Sequence, residues 1–142
     1  MIRRIAIASL TIAAALATTG SAQTGSPING RYRTDDNNAI IAVAPCTAGA
    51  AALCGRISQF LNPTLANARD ANNPDAALRT RRLIGVPILT NLTRDGNSWS
   101  GRGYSPEEGR NFNATVTPHG NQLRVRGCVA IFCRTVEWTR LS

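Results

Sequence analysis

The sequence predicts an all-β fold, a small antiparallel meander of about eight short strands closing into a barrel, and three observations carry that prediction. Strand-length segments with alternating or two-sided apolar character recur along the chain, parted by Asn, Asp, Gly and Pro clusters roughly every eight to twelve residues. Beyond the N-terminal segment no long amphipathic helical pattern survives. The cysteines, at positions 46, 54, 128 and 133, fall as two close pairs, each bracketing a short connection between strand-like runs.

Residues 1–22 read as a cleavable signal peptide. Arg3 and Arg4 form its charged region, Ile5 to Ala17 an apolar run too short to span a bilayer comfortably, and Gly20-Ser21-Ala22 puts small residues before Gln23. The expected destination is the periplasm, with no transmembrane segment after cleavage and no cysteine at the new N-terminus to carry a lipid. Residues 23–142 are then a single domain, since about 120 residues hide roughly two thirds of their unfolded surface and support one core.

The strands follow from parity and punctuation. Arg31 to Thr34 is short, with Tyr32 and Thr34 on one side, and Asp35-Asp36-Asn37-Asn38 ends it; Ala39 to Ala44 is apolar on both faces; Leu53 to Leu61 stops at Asn62-Pro63. The polar, Ala- and Asn-rich run from Asn62 to Asn73 is expected to be a surface excursion over one barrel mouth. Asn73 can cap one helical turn over Asp75 to Leu78, with Pro74 at its first position and Asp75 against the helix dipole. The next strand has Ile84, Val86, Ile88 and Leu92 at one parity, and Arg94-Asp95-Gly96-Asn97 supplies hairpin chemistry. Its partner carries Trp99, Gly101 and Gly103 on one face, leaving room for a bulky neighbour. After the Ser105 to Gly109 turn come Asn111 to Thr117, with Phe112, Ala114 and Val116 inward, Gln122 to Val129, with Leu123 and Val125 inward, and Arg134 to Leu141.

All sixteen basic residues are Arg, and removing Arg3 and Arg4 leaves fourteen against eight carboxylates, a balance of about +6. Such an excess suggests acidic partners, or a composition that writes Arg wherever a solvated cation is wanted. Nucleic acid fits poorly: the chain is expected to be exported, and its aromatics do not interleave with its arginines as a stacking surface requires. Four cysteines in an oxidising compartment read as two bridges with three possible connectivities. Chain entropy does not select among them, since short loops are worth roughly 2 to 3 kcal/mol each and a long one roughly 4 to 5. Register favours the local pairs, Cys46 with Cys54 and Cys128 with Cys133. The spacings do not match paired metal knuckles.

The run N-P-D-x-x-L-R-x-R from Asn73 to Arg81, the Leu83-x-Gly85 step, and W-x-G…Y-x-P-x-x-G from Trp99 to Gly109 resemble the exported bacterial family catalogued as domain of unknown function 2147. So do Pro45-Cys46, Leu53-Cys54-Gly55-Arg56-Ile57, Val125-Arg126-Gly127 and Trp138-Thr139-Arg140, so that the resemblance covers nearly the whole of residues 23–142. It implies a lipocalin-like barrel and no catalytic residues. Within that resemblance the first cysteine pair is the common one, and Cys128 and Cys133 are a departure.

Candidate chemistry is sparse. His119, the only histidine, sits in a Pro-His-Gly-Asn turn, and Glu107-Glu108 are adjacent in another, so neither suits a triad or paired acid–base work. Glu137 is expected in a solvent-facing cross-strand ion pair. Arg79, Arg81 and Arg82 form the best cluster: Arg79 is expected to fasten Asp75 four residues away, while Arg81 and Arg82 hold the head of an anionic amphiphile whose body lies against Trp99 and Tyr104. The functional expectation is a non-catalytic, monomeric periplasmic barrel binding a small anionic or amphiphilic ligand or an envelope component, without a cofactor or metal. The alternatives are an enzyme with an arginine and carboxylate site, and a structural envelope accessory.

Overall fold

The computed structural model describes residues 14–15 and 26–142, and the targeting segment expected over 1–22 falls almost wholly outside them. Eight antiparallel strands follow one another around a closed barrel: β1 (Gly30–Arg33), β2 (Ala39–Pro45), β3 (Leu53–Phe60), β4 (Pro87–Asp95), β5 (Ser98–Ser105), β6 (Arg110–His119), β7 (Gln122–Val129) and β8 (Phe132–Arg140). Closure comes from β1 against β8, where Tyr32 faces Arg140 and Arg33 faces Thr139. Among the described residues the only helical pieces are two 3-10 turns, Pro63–Leu65 and Ala76–Leu78. No helix among the described residues is long and apolar enough to cross a membrane.

Alternation places the core where the strand sequences predict it in β6 and β7: Ala114, Val116, Leu123 and Val125 are buried inward, and the Asn121 end closes tightly because Gly120 takes a φ of 61°. Simple parity fails in β4. Leu89 and Leu92, three apart, are both fully buried, whereas Ile84 is exposed and Ile88 only partly covered. The three-residue spacing of Leu89 and Leu92 comes from a bulge between Thr90 and Thr93, where Asn91 adopts φ 53° and the extra residue exchanges the two faces, and Ile84 lies in the turn before the strand. A similar irregularity lies at Ile40/Ile41, where both isoleucines are buried but only Ile41 belongs to the core cluster.

The two ends of the barrel differ. At the end holding the 46–52 loop and the Gly96-Asn97 and Gly120-Asn121 turns, the segment before β1 folds back and plugs the interior with Ile28, which is fully buried among the core residues. Tyr32 donates its hydroxyl to the Ile28 carbonyl at 2.9 Å, and Arg140 donates to the Tyr32 hydroxyl and to the Pro27 carbonyl, pinning the plug. Burial of the Tyr32 phenol raises its pKa, partly offset by the Arg140 charge. The opposite end, bounded by residues 34–38, 106–109 and 130–131, is open. Both disulfides are local, Cys46 to Cys54 and Cys128 to Cys133.

Candidate functional site

The 61–86 connection is held to the barrel by a buried polar clasp that the sequence reading did not identify. Asp70 is fully buried, and its carboxylate takes donors from three directions: Arg81 Nε and Nη2 to Oδ2 at 2.9 and 2.8 Å, Asn73 Nδ2 to Oδ2 at 2.8 Å, and the Tyr104 hydroxyl to Oδ1 at 2.5 Å. Burial alone would push the Asp70 carboxyl up, but the hydrogen bonds from Tyr104, Asn73 and Arg81 outweigh it and hold the pKa below the usual carboxylate range. The same contact drives Tyr104 the other way, to about 12, through burial, its hydrogen bond to Asp70 and the nearby negative charge. Alongside, Asn72 donates to the carbonyls of Pro106 and Glu107, and the Asn72 carbonyl lies where a Cβ on Gly109 would stand. These bonds draw the excursion onto the outer wall beside β5 and β6.

Several expected roles change accordingly. The cap of the Ala76–Leu78 turn is Asp75, whose carboxylate accepts from the Ala77 amide at 3.0 Å; Asn73 sits two residues earlier, accepting from the Asp75 amide at 2.8 Å. With its carboxylate so engaged, Asp75 does not pair with Arg79, which donates instead to the Asn73 carbonyl at 2.8 Å. Arg81 is spent on Asp70, and Arg82 donates to Asn67 Oδ1 at 2.7 Å, so the pair expected to hold an anion is bound to the excursion itself. Trp99 and Tyr104 are not brought together. Trp99 lies at the closed end, 4% exposed with the Arg94 guanidinium over its ring, while Tyr104 stands at the far end of β5, roughly 16 Å further along the strand. Nor does the excursion cover the mouth, because the clasp anchors it outside the wall.

What the barrel does present is a cup. From the open end a cavity of about 630 Å³ enters the interior, with Ile41, Val125 and Trp138 deep in its lining and Phe112 and Val136 on its wall. Phe112 stays against the wall because its inward neighbours on both flanking strands, Gly103 and Gly127, have no side chains; a Cβ at Gly127 would come within 2.8 Å of the ring. The sequence expectation that the β5 glycines make room for a bulky neighbour is met by this ring at Gly103, whereas Gly101 is approached by the backbone of Thr90 and Asn91. The rim is polar and carries both signs: Asp35, Asp36, Glu107 and Glu108 against Arg110 and Arg134. Asp36 is engaged by Thr34 and Asn38, which bring its pKa below the ordinary value despite partial burial, and Arg134 meets Glu108 only at 3.9 Å. The inward parity of Phe112 and Val125 was legible; that they border an open space follows only from closure.

Glu137 forms the expected cross-strand pair with Arg124 at 2.9 Å, with His119 a further 3.9 Å contact, and no group of three His, Cys, Asp or Glu among the described residues is arranged to hold a metal.

Residues 30–140 match the model of a family described as an uncharacterized protein conserved in bacteria, DUF2147. The chain belongs to that family. No curated protein and no solved structure matches it. As a DUF2147 member, the chain has two features on which a function can rest, the Asp70 clasp and the open cup, and the clasp has its donors and acceptors committed to holding the chain together.

Proposed function

We propose that the protein is exported to the periplasm by residues 1–22 and there binds a single-chain amphiphile, without catalysis, its apolar body in the cup and its polar head at the rim. The observation that carries the reading is the cavity of about 630 Å³, apolar in depth and polar at the edge; this lies within the range of small-molecule sites, roughly 300 to 1,000 Å³. The anion contact expected from Arg81 and Arg82 passes to Arg110 and Arg134, and with four carboxylates on the same rim the head group contributes less selectivity than the chain. Export is supported by the charged, apolar and small-residue order of the first 22 residues and by two disulfides, which persist in oxidising compartments.

Trp138 lines the cavity and reports on it. Titrating alkyl amphiphiles of increasing length, with anionic, zwitterionic and cationic heads, should change its fluorescence. Affinity should rise about fourfold per methylene, from roughly 0.8 kcal/mol per buried CH₂, until the cavity is full. Val136→Trp, which fills the wall, should weaken binding at least tenfold. If no amphiphile binds tighter than about 1 mM, or affinity ignores chain length, the cup reading fails. Cell fractionation together with an N-terminus at Gln23 checks the export step.

A further inference from the structure

Beside the mouth, the β7–β8 hairpin ends in an apolar tip that stands largely in solvent, with Val129 and Phe132 also bordering the edge of the cup. Ile131 is 88% exposed and Phe132 77%, with Val129 at 40% next to them; these two are far more exposed than the other large apolar side chains described. In water, an apolar tip gains by folding down onto nearby apolar surface, and here the cavity wall is adjacent. Two features hold it out. The Cys128 to Cys133 bridge clamps the strands directly behind the tip, and the turn is a two-residue reversal with Ala130 at φ 52°, a conformation that non-glycine residues adopt only under constraint. Toward the tip the hairpin carries charge of one sign: from Gln122 to Arg134 there are three arginines and no carboxylate, and its single carboxylate, Glu137, lies further along β8. Arg124 is taken by Glu137, while Arg126 and Arg134, on the strands that carry the tip, have only a 3.4 Å contact to Cys133 Sγ and the 3.9 Å contact to Glu108.

We propose that this tip docks the protein on an anionic lipid bilayer, Val129, Ile131 and Phe132 entering the interface and Arg126 and Arg134 meeting the headgroups. A compact apolar point behind which cations stand is the arrangement an interfacial anchor requires, and the net positive charge of the chain acts in the same direction. The acidic residues of the mouth, Asp35, Asp36, Glu107 and Glu108, belong to other turns, so the hairpin is the part of this end that a negatively charged surface attracts. Docked there, the protein holds the open end of the barrel against the membrane. The docking does not depend on the cup being filled.

The test is co-sedimentation of the full protein with vesicles of phosphatidylcholine alone and of phosphatidylcholine with phosphatidylglycerol. The wild type should bind the anionic vesicles and bind them less as salt rises. The double variant Ile131→Ser/Phe132→Ser, whose sites are already in solvent and so leave the urea midpoint unchanged, should bind at least tenfold more weakly. Arg126→Gln and Arg134→Gln should each cost roughly fivefold on anionic vesicles, from about 1 kcal/mol per cation near such a surface, and little on neutral ones. Equal vesicle binding by wild type and the double variant overturns the proposal. So does absence of wild-type binding, or a wild-type dimer that the double variant converts to monomer while vesicle binding is unchanged, since the tip would then be an interface between two copies. Val136→Trp should leave vesicle binding intact, which separates failure of the tip from failure of the cup.

Discussion

Removing one oxygen, by Tyr104→Phe, tests whether the Asp70 clasp fastens the long connection. The Tyr104 hydroxyl is the one side-chain donor to Asp70 Oδ1, while Oδ2 takes Arg81 and Asn73. Phenylalanine keeps the ring and its packing, so the variant leaves a fully buried carboxylate oxygen without that donor and makes no large cavity. A hydrogen bond to a charged group is worth about 1.5 to 3 kcal/mol, and the loss should lie in that range. The pH dependence is a sharper signature. Tyr104 has a folded pKa near 12 against 10.0 for the free phenol, so its contribution is fully present below pH 10 and is lost as pH rises from 10 through 12. Asp70 has a folded pKa below its ordinary 3.8, so its contribution is present above that value and fades as pH falls beneath it. Wild type should therefore lose roughly 2 to 3 kcal/mol between pH 10 and 12 through this group, and Tyr104→Phe should lack that loss. At low pH the variant, whose Asp70 pKa moves back up without the Tyr104 hydrogen bond, should lose less stability than wild type as pH falls below 3.8. Urea unfolding followed by the fluorescence of Trp99 and Trp138, both in the core, measures all of this at unchanged slope. A cost below about 0.5 kcal/mol at neutral pH, or the same alkaline decline in both proteins, would refute the clasp.

Three further outcomes follow from individual contacts. Arg79→Ala should cost about 1.5 to 3 kcal/mol, the worth of one hydrogen bond from a charged donor to a carbonyl, and Asp75→Ala/Arg79→Ala should be additive in urea unfolding; a coupling above about 1 kcal/mol would restore the Asp75 pairing. Gly103→Ala places a methyl in the Phe112 ring and should destabilise by about 1 to 3 kcal/mol, with Gly103→Ala/Phe112→Leu recovering part of that, and an additive pair of effects would mean the ring is elsewhere. Non-reducing peptide maps should link Cys46 to Cys54 and Cys128 to Cys133, and reduction should lower the urea midpoint by an amount corresponding to roughly 2 to 3 kcal/mol per bridge; a peptide joining the two halves of the chain excludes this pairing.

The strands whose residues alternate without interruption were legible. In β6 and β7 each inward position is one register step from the next, and turn residues mark both ends. In β4, a single residue, Asn91, occupies the left-handed region and shifts the parity, and nothing in the apolar pattern marks that position as a bulge. Local reasoning placed Asp75 and Arg79 together because they lie four apart. It could not see that Arg81 and Tyr104 converge on Asp70, since the partners are 11 and 34 residues away and Asp70 sits in a polar stretch that looks solvent-exposed. The hairpin tip was half legible: Val129 was read as the end of a strand, while the exposure of Ile131 and Phe132 depends on how far β7 and β8 run beyond the barrel wall.

The arginine excess has a structural cause that changes how the charge should be used in any functional reading. The sequence invites treating about six unbalanced cations as a field for one anion. In the folded chain six of the fourteen arginines beyond residue 22 donate to carbonyls in connections where the backbone has no ladder partner: Arg69 donates to Thr80, Arg79 to Asn73, Arg82 to Ala66, Arg56 to Gly85, Arg94 to Gly96 and Arg140 to Pro27. A guanidinium serves this purpose better than an ammonium, because its planar fork offers five donors in fixed directions and is more weakly hydrated. A chain with a 26-residue excursion and a plug at one end needs many such donors, and the absence of Lys fits that need. Bonds to neutral carbonyls fix these side chains in place but leave their charge. At the open end, beside the apolar tip and the mouth of the cup, stand Arg110, Arg126 and Arg134, so substitutions there should alter binding at that end, while substitutions among the carbonyl-bound arginines should alter stability.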